Sequence, residues 1–192
     1  MEFKTYCISL KSDKDRKAWM TSIKDRIGLD FEFFNAIEPE EVTVELEEKH
    51  FVDNFLTEWD FSQKATMATF LSHLSLIRLS AESKSNVLIV EDDINIVSSF
   101  DWKNVDFKDF DLYNLGVEGS CYSYFVSHQG AVKLLDYFNS RKIKYPYDYE
   151  LSIINVKKIR IKSSEESIFV QLDTFKSNIA PNGYILKKNK LV

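Results

Sequence analysis

The chain has 192 residues, 44% hydrophobic and 29% charged, with a net charge of −5 at pH 7. This is enough chain for one domain with a real core, and the composition excludes disorder and collagen-like repeats. The acidic balance removes any strong global attraction to nucleic acid, so none is expected as a partner. Glycine (5) and proline (3) are scarce and aromatic residues plentiful (15 Phe, 9 Tyr, 3 Trp). Long linkers are therefore not expected, and residues 1–192 read as a single domain.

"FKTYCISL" (3–10) reads as a strand. "SDKDRKAWMTSIKDRIG" follows as a helix, with Ser12 or Asp13 as its cap and Gly28 as its stop. "LDFEFFNAI" (29–37) is a second strand, and "EPEEVTVELEEK" (38–49), with six glutamates, reads as a partly exposed helix. The strongest helix is 63–83, where Met67, Phe70, Leu71, Leu74, Ile77 and Ala81 recur at steps of three and four.

Val87–Val90 is a continuous apolar run, the pattern of a strand covered on both faces in a parallel sheet. "DLYNLG" (111–116) and "CYSYFVS" (121–127) are further strands, which place Cys7 and Cys121 in strands. "SHQGAVKLLDYFNSRK" is a helix with Ala131, Leu134, Leu135 and Phe138 inward. "VKKIRI" and "IFVQLD" close the pattern as late strands. Strands alternating with helices predict an α/β fold with a mostly parallel central sheet flanked by helices.

Two cysteines make no disulfide framework and have no metal-ligand spacing, so buried thiols in a reducing compartment are expected. The N-terminus carries no signal-like apolar core, and no run reaches membrane-spanning length. A cytoplasmic protein is expected. Its basic C-terminal segments, "VKKIRIK" (156–162) and "KKNK" (187–190), would allow peripheral contact at the inner membrane.

The chemistry concentrates at Glu91-Asp92-Asp93, where the apolar strand ends. Ligands of open α/β sheets sit at the carboxyl ends of strands. On an extended chain, residues two apart share a face. Glu91 and Asp93 are thus expected to converge, with Asp92 turned away. Neighbouring carboxylates repel unless neutralised, and a divalent cation with oxygen ligands would do so. A phosphoreceiver domain opens on a similar strand. It needs a phosphoacceptor aspartate at a later strand end, whereas "DLYNLG" ends on Asn114 and Gly116.

The flanking motifs complete a pattern. "YCISLKSDKDR", with Ser9, Leu10, Asp15 and Arg16, "FEFFNAI", with Phe34, Ala36 and Ile37, "FLSHLSLIRL", with Ser72 and His73, "VLIVEDD", "LYNLG", "SYFVSHQGAVKLL" and "YPYDYEL", with Pro146 and Asp148, stand in one order. In that order the chain resembles glycosyltransferase family 25, the lipopolysaccharide and collagen galactosyltransferase family, over most of its length. It departs from the family before Ser72, where Ala65, Thr66, Ala68 and Thr69 replace a glycine-rich stretch.

The resemblance implies a GT-A-like domain that transfers galactose or glucose from a UDP-sugar to an oligosaccharide or glycolipid acceptor, with inversion and with Mn²⁺ or Mg²⁺. Residues 1–100 would bind the nucleotide sugar and 101–192 the acceptor. Ser9, Leu10, Arg16, Ala36, Ile37, His73, Glu91 and Asp92 would contact the donor, and Asp93 with Glu91 the metal. Asp148 or Glu118 would be the base, with Glu150 a further candidate. His73 also fits a hydrogen-bonded packing role on the apolar stripe. An inactive sugar-nucleotide or glycan-binding module of the same fold is the alternative.

Overall fold

The computed structural model describes residues 3–55, 62–117, 119–154 and 158–175. Six strands form the central sheet: β1 (Phe3–Ser9), β2 (Glu32–Asn35), β3 (Asn86–Glu91), β5 (Leu112–Asn114), β6 (Ser123–Val126) and β7 (Ile161–Ser163), in the order β2-β1-β3-β6-β5-β7. β2, β1 and β3 pair in parallel, β6 runs antiparallel to both β3 and β5, and β7 pairs parallel with β5. Only β6 is reversed, so the mostly parallel expectation holds.

The sheet is covered on both faces, as the unbroken run in β3 requires. Val87 and Ile89 face a core with Phe70, Leu74 and Ile77 of α3 (Gln63–Ser83) and Ala131, Leu134 and Phe138 of α4 (His128–Asn139). Leu88 and Val90 face the other core, with Met20, Ile23 and Ile27 of α1 (Lys14–Ile27). There Phe125 is surrounded by Phe3, Phe107 and Phe110, with ring centroids 5.0–6.4 Å away.

Local chemistry sets the helix ends. Asp13 caps α1 by accepting the Arg16 N–H, and Gly28 closes it at φ 71, a left-handed conformation that favours glycine. Ser62 caps α3, which spans the range its periodicity predicts. The buried residues of α3 extend well beyond one stripe and include Thr66, Ser72, His73 and Ser80. The helix lies between the sheet, α4 and α5 (Tyr147–Ser152), which covers more than one face.

Several elements differ from expectation. β2 is only Glu32–Asn35, and the glutamate-rich segment divides into a 3₁₀ turn at Pro39–Glu41 and α2 (Val44–His50), capped by Thr43. "IFVQLD" supplies β8 (Phe169–Gln171), but outside the main sheet. It forms an antiparallel ribbon with β4 (Ile94–Ile96), a strand too short to show a period. Cys121 precedes β6 rather than lying within it. α5 has one turn and a half and follows Pro146 directly, so it too lacks a readable period. No helix among the described residues is long and apolar enough to cross a membrane. The segment "KKNK" lies outside the described residues.

Asp111, fully buried at the start of β5, ties three elements together. Its carboxylate accepts Lys133 Nζ at 2.7 Å and the Arg160 N–H at 2.8 Å, and Arg160 Nη2 lies 3.2 Å away. Its carbonyl takes the Ser127 N–H ahead of α4. Burial works against this carboxylate, but the Arg160 and Lys133 contacts outweigh it and hold its pKa below the ordinary 3.8. α4 crosses so closely that a Cβ on Gly130 would collide with the Asp111 carbonyl oxygen.

Asp111→Asn is expected to cost about 2–3 kcal/mol in urea unfolding at pH 7, since it weakens a buried, multiply bonded charge. The folded-state pKa is depressed, so this contribution is full above about pH 4 and is lost as pH falls through the folded value. The variant and wild type should converge once the pH has fallen below the folded-state value. A constant difference across that range would contradict the assignment.

Candidate functional site

β1, β2 and β3 end level with one another: Ile8 pairs with Glu91 and Ser9 with Asn35. Because β6 is reversed, its entry at Tyr122 meets the same edge, where the Tyr122 carbonyl accepts the Glu91 N–H at 2.8 Å. The turns leaving these strands enclose a cleft. Its floor is backbone-rich. Ser9 O accepts the Ala36 N–H at 2.9 Å, and Ser72 Oγ accepts the Ile37 N–H at 2.9 Å while donating to Ala68 O. Ala36 and Ile37 are thereby clamped between β1 and α3. Tyr122 forms a fixed wall, its hydroxyl accepting the Val117 N–H and donating to the Phe169 carbonyl.

The chain turns at Asp92 and Asp93, and the alternation of an extended strand stops with it. The expected facing of the carboxylates is therefore corrected. Asp92 and Asp93 converge, and Glu91 is directed elsewhere. Arg16 Nη1 donates to Asp92 Oδ1 at 2.9 Å and to Asp93 Oδ2 at 3.2 Å. Arg16 Nε lies 3.2 Å from Asp13, and the guanidinium sits over the Phe175 ring at 5.3 Å. Gln171 Nε2 also donates to Asp93 Oδ2, at 3.0 Å, and the Leu172 N–H to the Asp93 carbonyl, at 2.7 Å.

One oxygen of Asp93 is thus doubly satisfied. The other, Oδ1, is buried and meets no hydrogen-bond donor among the described residues. Burial raises the Asp92 pKa, opposed by hydrogen bonds from Ser9 and Arg16. For Arg16 burial works downward, but Asp92, Asp93 and Asp13 outweigh it and raise its pKa.

Glu91 is directed toward α3. Its Oε1 lies 3.1 Å from His73 Nε2, and its side chain is 27% exposed. Desolvation first, then the charges of Asp93, Asp148 and Asp92, raise its pKa well above the usual carboxylate range, with Arg16 acting the other way. His73 is 1% exposed, and burial holds its pKa down at about 3, so the ring is neutral near pH 7.

Asp148 stands in the first turn of α5 on the cleft wall, exposed on one side. Desolvation raises its pKa against the stabilising effect of its own N–H. Glu150 is corrected from candidate base to structural residue. It is fully buried, and its Oε1 accepts the N–H groups of Lys144 and Tyr145 while Arg141 pairs with the carboxylate. The Tyr145 and Tyr149 rings meet at a tilt, with centroids 4.6 Å apart and Tyr149 exposed, whereas Tyr147 is buried.

Of the residues singled out from the sequence, Ser9, Leu10, Arg16, Ala36, Ile37, Glu91, Asp92, Asp93 and Asp148 line this one cleft. His73 does not line it but lies behind Glu91. Its expectation as a donor contact is therefore corrected, and the packing reading fits. Glu118 lies outside the described residues. Tyr122 and Gln171 were missed. Gln171 reaches Asp93 across 78 residues of sequence, and no local pattern marks such a contact. Ala65, Ala68 and Thr69, standing where the family has glycines, also face the cleft.

The lining suits a hard divalent cation, because it offers carboxylate oxygens and one of them is unsatisfied. Among the described residues no group of three or more His, Cys, Asp or Glu side chains could hold such an ion alone. Any coordination shell would draw on ligand oxygens and water.

The profile of glycosyltransferase family 25 (LPS biosynthesis protein) matches residues 2–190. Among solved structures, the chain resembles a glycosyltransferase involved in the glycosylation of the major capsid of PBCV-1, with a TM-score of 0.51 and 11% identity. The match covers 88% of this chain and 92% of that one, and it shows a shared fold. No curated protein matches the sequence significantly.

Arg16→Met would leave Asp92 and Asp93 buried beside each other without their cation. The expected loss is about 3–5 kcal/mol in urea unfolding. Adding Asp92→Asn should recover at least about 1 kcal/mol, a coupling that additive, independent sites would not show.

Proposed function

The chain belongs to glycosyltransferase family 25, and on that footing we propose that it moves a hexose, galactose or glucose, from a UDP-sugar to a glycan acceptor of lipopolysaccharide or lipooligosaccharide type, with inversion. The observation that carries the reading is the acidic turn at the end of β3. Asp93 keeps one oxygen unsatisfied in a cleft where Arg16 is already bound to Asp92 and Asp93.

Electrostatics favour a divalent ion as part of the donor complex. Glu91, Asp92, Asp93 and Asp148 line the cleft, with Arg16 as the one guanidinium among the described lining residues. That surplus of negative charge would repel a diphosphate. Asp93 Oδ1 is the oxygen that would hold Mn²⁺ or Mg²⁺, the remaining positions being left to phosphate and water. Bound there, the ion would neutralise charge on the departing UDP as a Lewis acid.

The chain's own groups divide the remaining work. Arg16, held by Asp92, presents a fixed positive charge beside the diphosphate. Ser9, Leu10, Ala36 and Ile37 form a clamped, backbone-rich floor for the uracil. Asp148 stands on the far wall as the group that takes the proton from the acceptor hydroxyl. The nucleotide would thus be read mainly by residues before 100, while Asp148 belongs to the acceptor side.

A panel of UDP-sugars with Mn²⁺, followed by UDP release and product formation, tests the reading. Metal-dependent turnover is expected with UDP-galactose or UDP-glucose. Asp93→Asn and Asp148→Asn should each lower kcat by about 10²–10⁴-fold. Turnover surviving Asp93→Asn would remove the site assignment. Tight UDP binding without transfer to any acceptor would make the protein a sugar-nucleotide-binding module instead.

A further inference from the structure

Behind Glu91 lies a buried polar chain that the donor site does not use. It draws on four elements: Tyr147 from α5, Tyr124 from β6, His73 from α3 and Glu91 from β3. Tyr147 Oη is 3.0 Å from Tyr124 Oη, Tyr124 Oη is 2.8 Å from His73 Nδ1, and His73 Nε2 is 3.1 Å from Glu91 Oε1. The His73 and Tyr147 rings also stack face to face, with centroids 4.4 Å apart and planes 9° from parallel.

We propose that His73 is a positioning residue. It holds Glu91 by hydrogen bond and the start of α5 by stacking, and so sets Glu91 and Asp148 against each other across the donor site. The inference rests on the proposed role of Asp148, whose chain neighbour is Tyr147.

Packing alone does not explain this chain. Tyr147 also contacts the rings of Phe70 and Phe138, at 5.4 and 6.2 Å, so apolar rings fill the same region. Three buried polar groups cost free energy unless each is hydrogen-bonded. The chain satisfies all three, and its one outlet to the cleft is Glu91.

Donor bookkeeping ties the direction of the chain to the state of Glu91. When that carboxylate is ionised it only accepts, so His73 Nε2–H donates to it. Nδ1 then accepts from the Tyr124 O–H, and Tyr124 accepts from the Tyr147 O–H. Every hydroxyl and ring proton is used once. Groups of this kind, which orient the ligating or reacting ones, commonly change activity by 10–100-fold when removed.

Four variants test it: His73→Phe, which keeps a stacking ring, His73→Gln, which keeps a donor near the Nε2 position, and Tyr124→Phe and Tyr147→Phe, which shorten the chain. Rates are taken per folded molecule. His73→Phe is expected to lower kcat by about 30–100-fold with the donor KM within about 3-fold of wild type. His73→Gln should return most of that loss, and Tyr124→Phe should fall between.

Nitrogen-15 spectra of the histidine rings should show one fixed His73 tautomer at pH 7, and Tyr124→Phe should disturb that preference. An unchanged kcat in both His73→Phe and Tyr124→Phe, with only the melting temperature lowered, would reduce the chain to a structural role and overturn the inference. So would a ring that exchanges freely between its two tautomers. A wild-type protein that transfers no sugar defeats the parent reading. In that case the ring spectra still decide the direction of the chain.

Discussion

Arg16 reaches from the first turn of α1 to the end of β3, and the site depends on that reach. Two adjacent carboxylates, 6% and 4% exposed, are not stable side by side without a counter-charge. The guanidinium supplies it and at the same time docks α1 onto the sheet. Because Arg16 and Gln171 both take Oδ2 of Asp93, Oδ1 is the oxygen left without a hydrogen bond among the described residues. The same contacts bring together segments far apart in the sequence, the β1–α1 turn, the β3–β4 turn and the end of β8.

Much of this was legible beforehand, for physical reasons. α3 repeats its apolar residues with helical period and has a serine cap, so its span could be read directly. β3 is buried on both faces and shows it as an unbroken apolar run. The position of the site followed from a general property of parallel sheets, that strand ends open onto a crevice. The residues expected there came from the ordered motifs, and most of them line one cleft.

The rest depended on contacts that leave no local trace. The facing of Asp92 could not be read, because strand alternation was assumed to continue through a turn. β4 and α5 are too short for a period to show. His73 carries the apolar stripe's spacing, but its bonds run to Tyr124 and Glu91 on separate strands. Gln171 lies in a late strand that reads as an ordinary core element, and its role follows only from the ribbon pairing β8 with β4. Glu150 looked like a candidate base because it is acidic and near Asp148. Its burial under two backbone N–H groups and Arg141 shows why charge and proximity alone do not identify a catalytic group.

The central claim is that Asp93 provides the open oxygen at which a cation and the donor diphosphate meet. Binding of Mn²⁺ followed by electron paramagnetic resonance, with and without UDP, tests it without requiring the acceptor. The account predicts that UDP strengthens Mn²⁺ binding to the wild-type protein. It also predicts that Asp93→Asn, with the fold intact by circular dichroism, weakens that ternary binding by about 10–100-fold. Equal Mn²⁺ and UDP binding by the wild type and Asp93→Asn would contradict it.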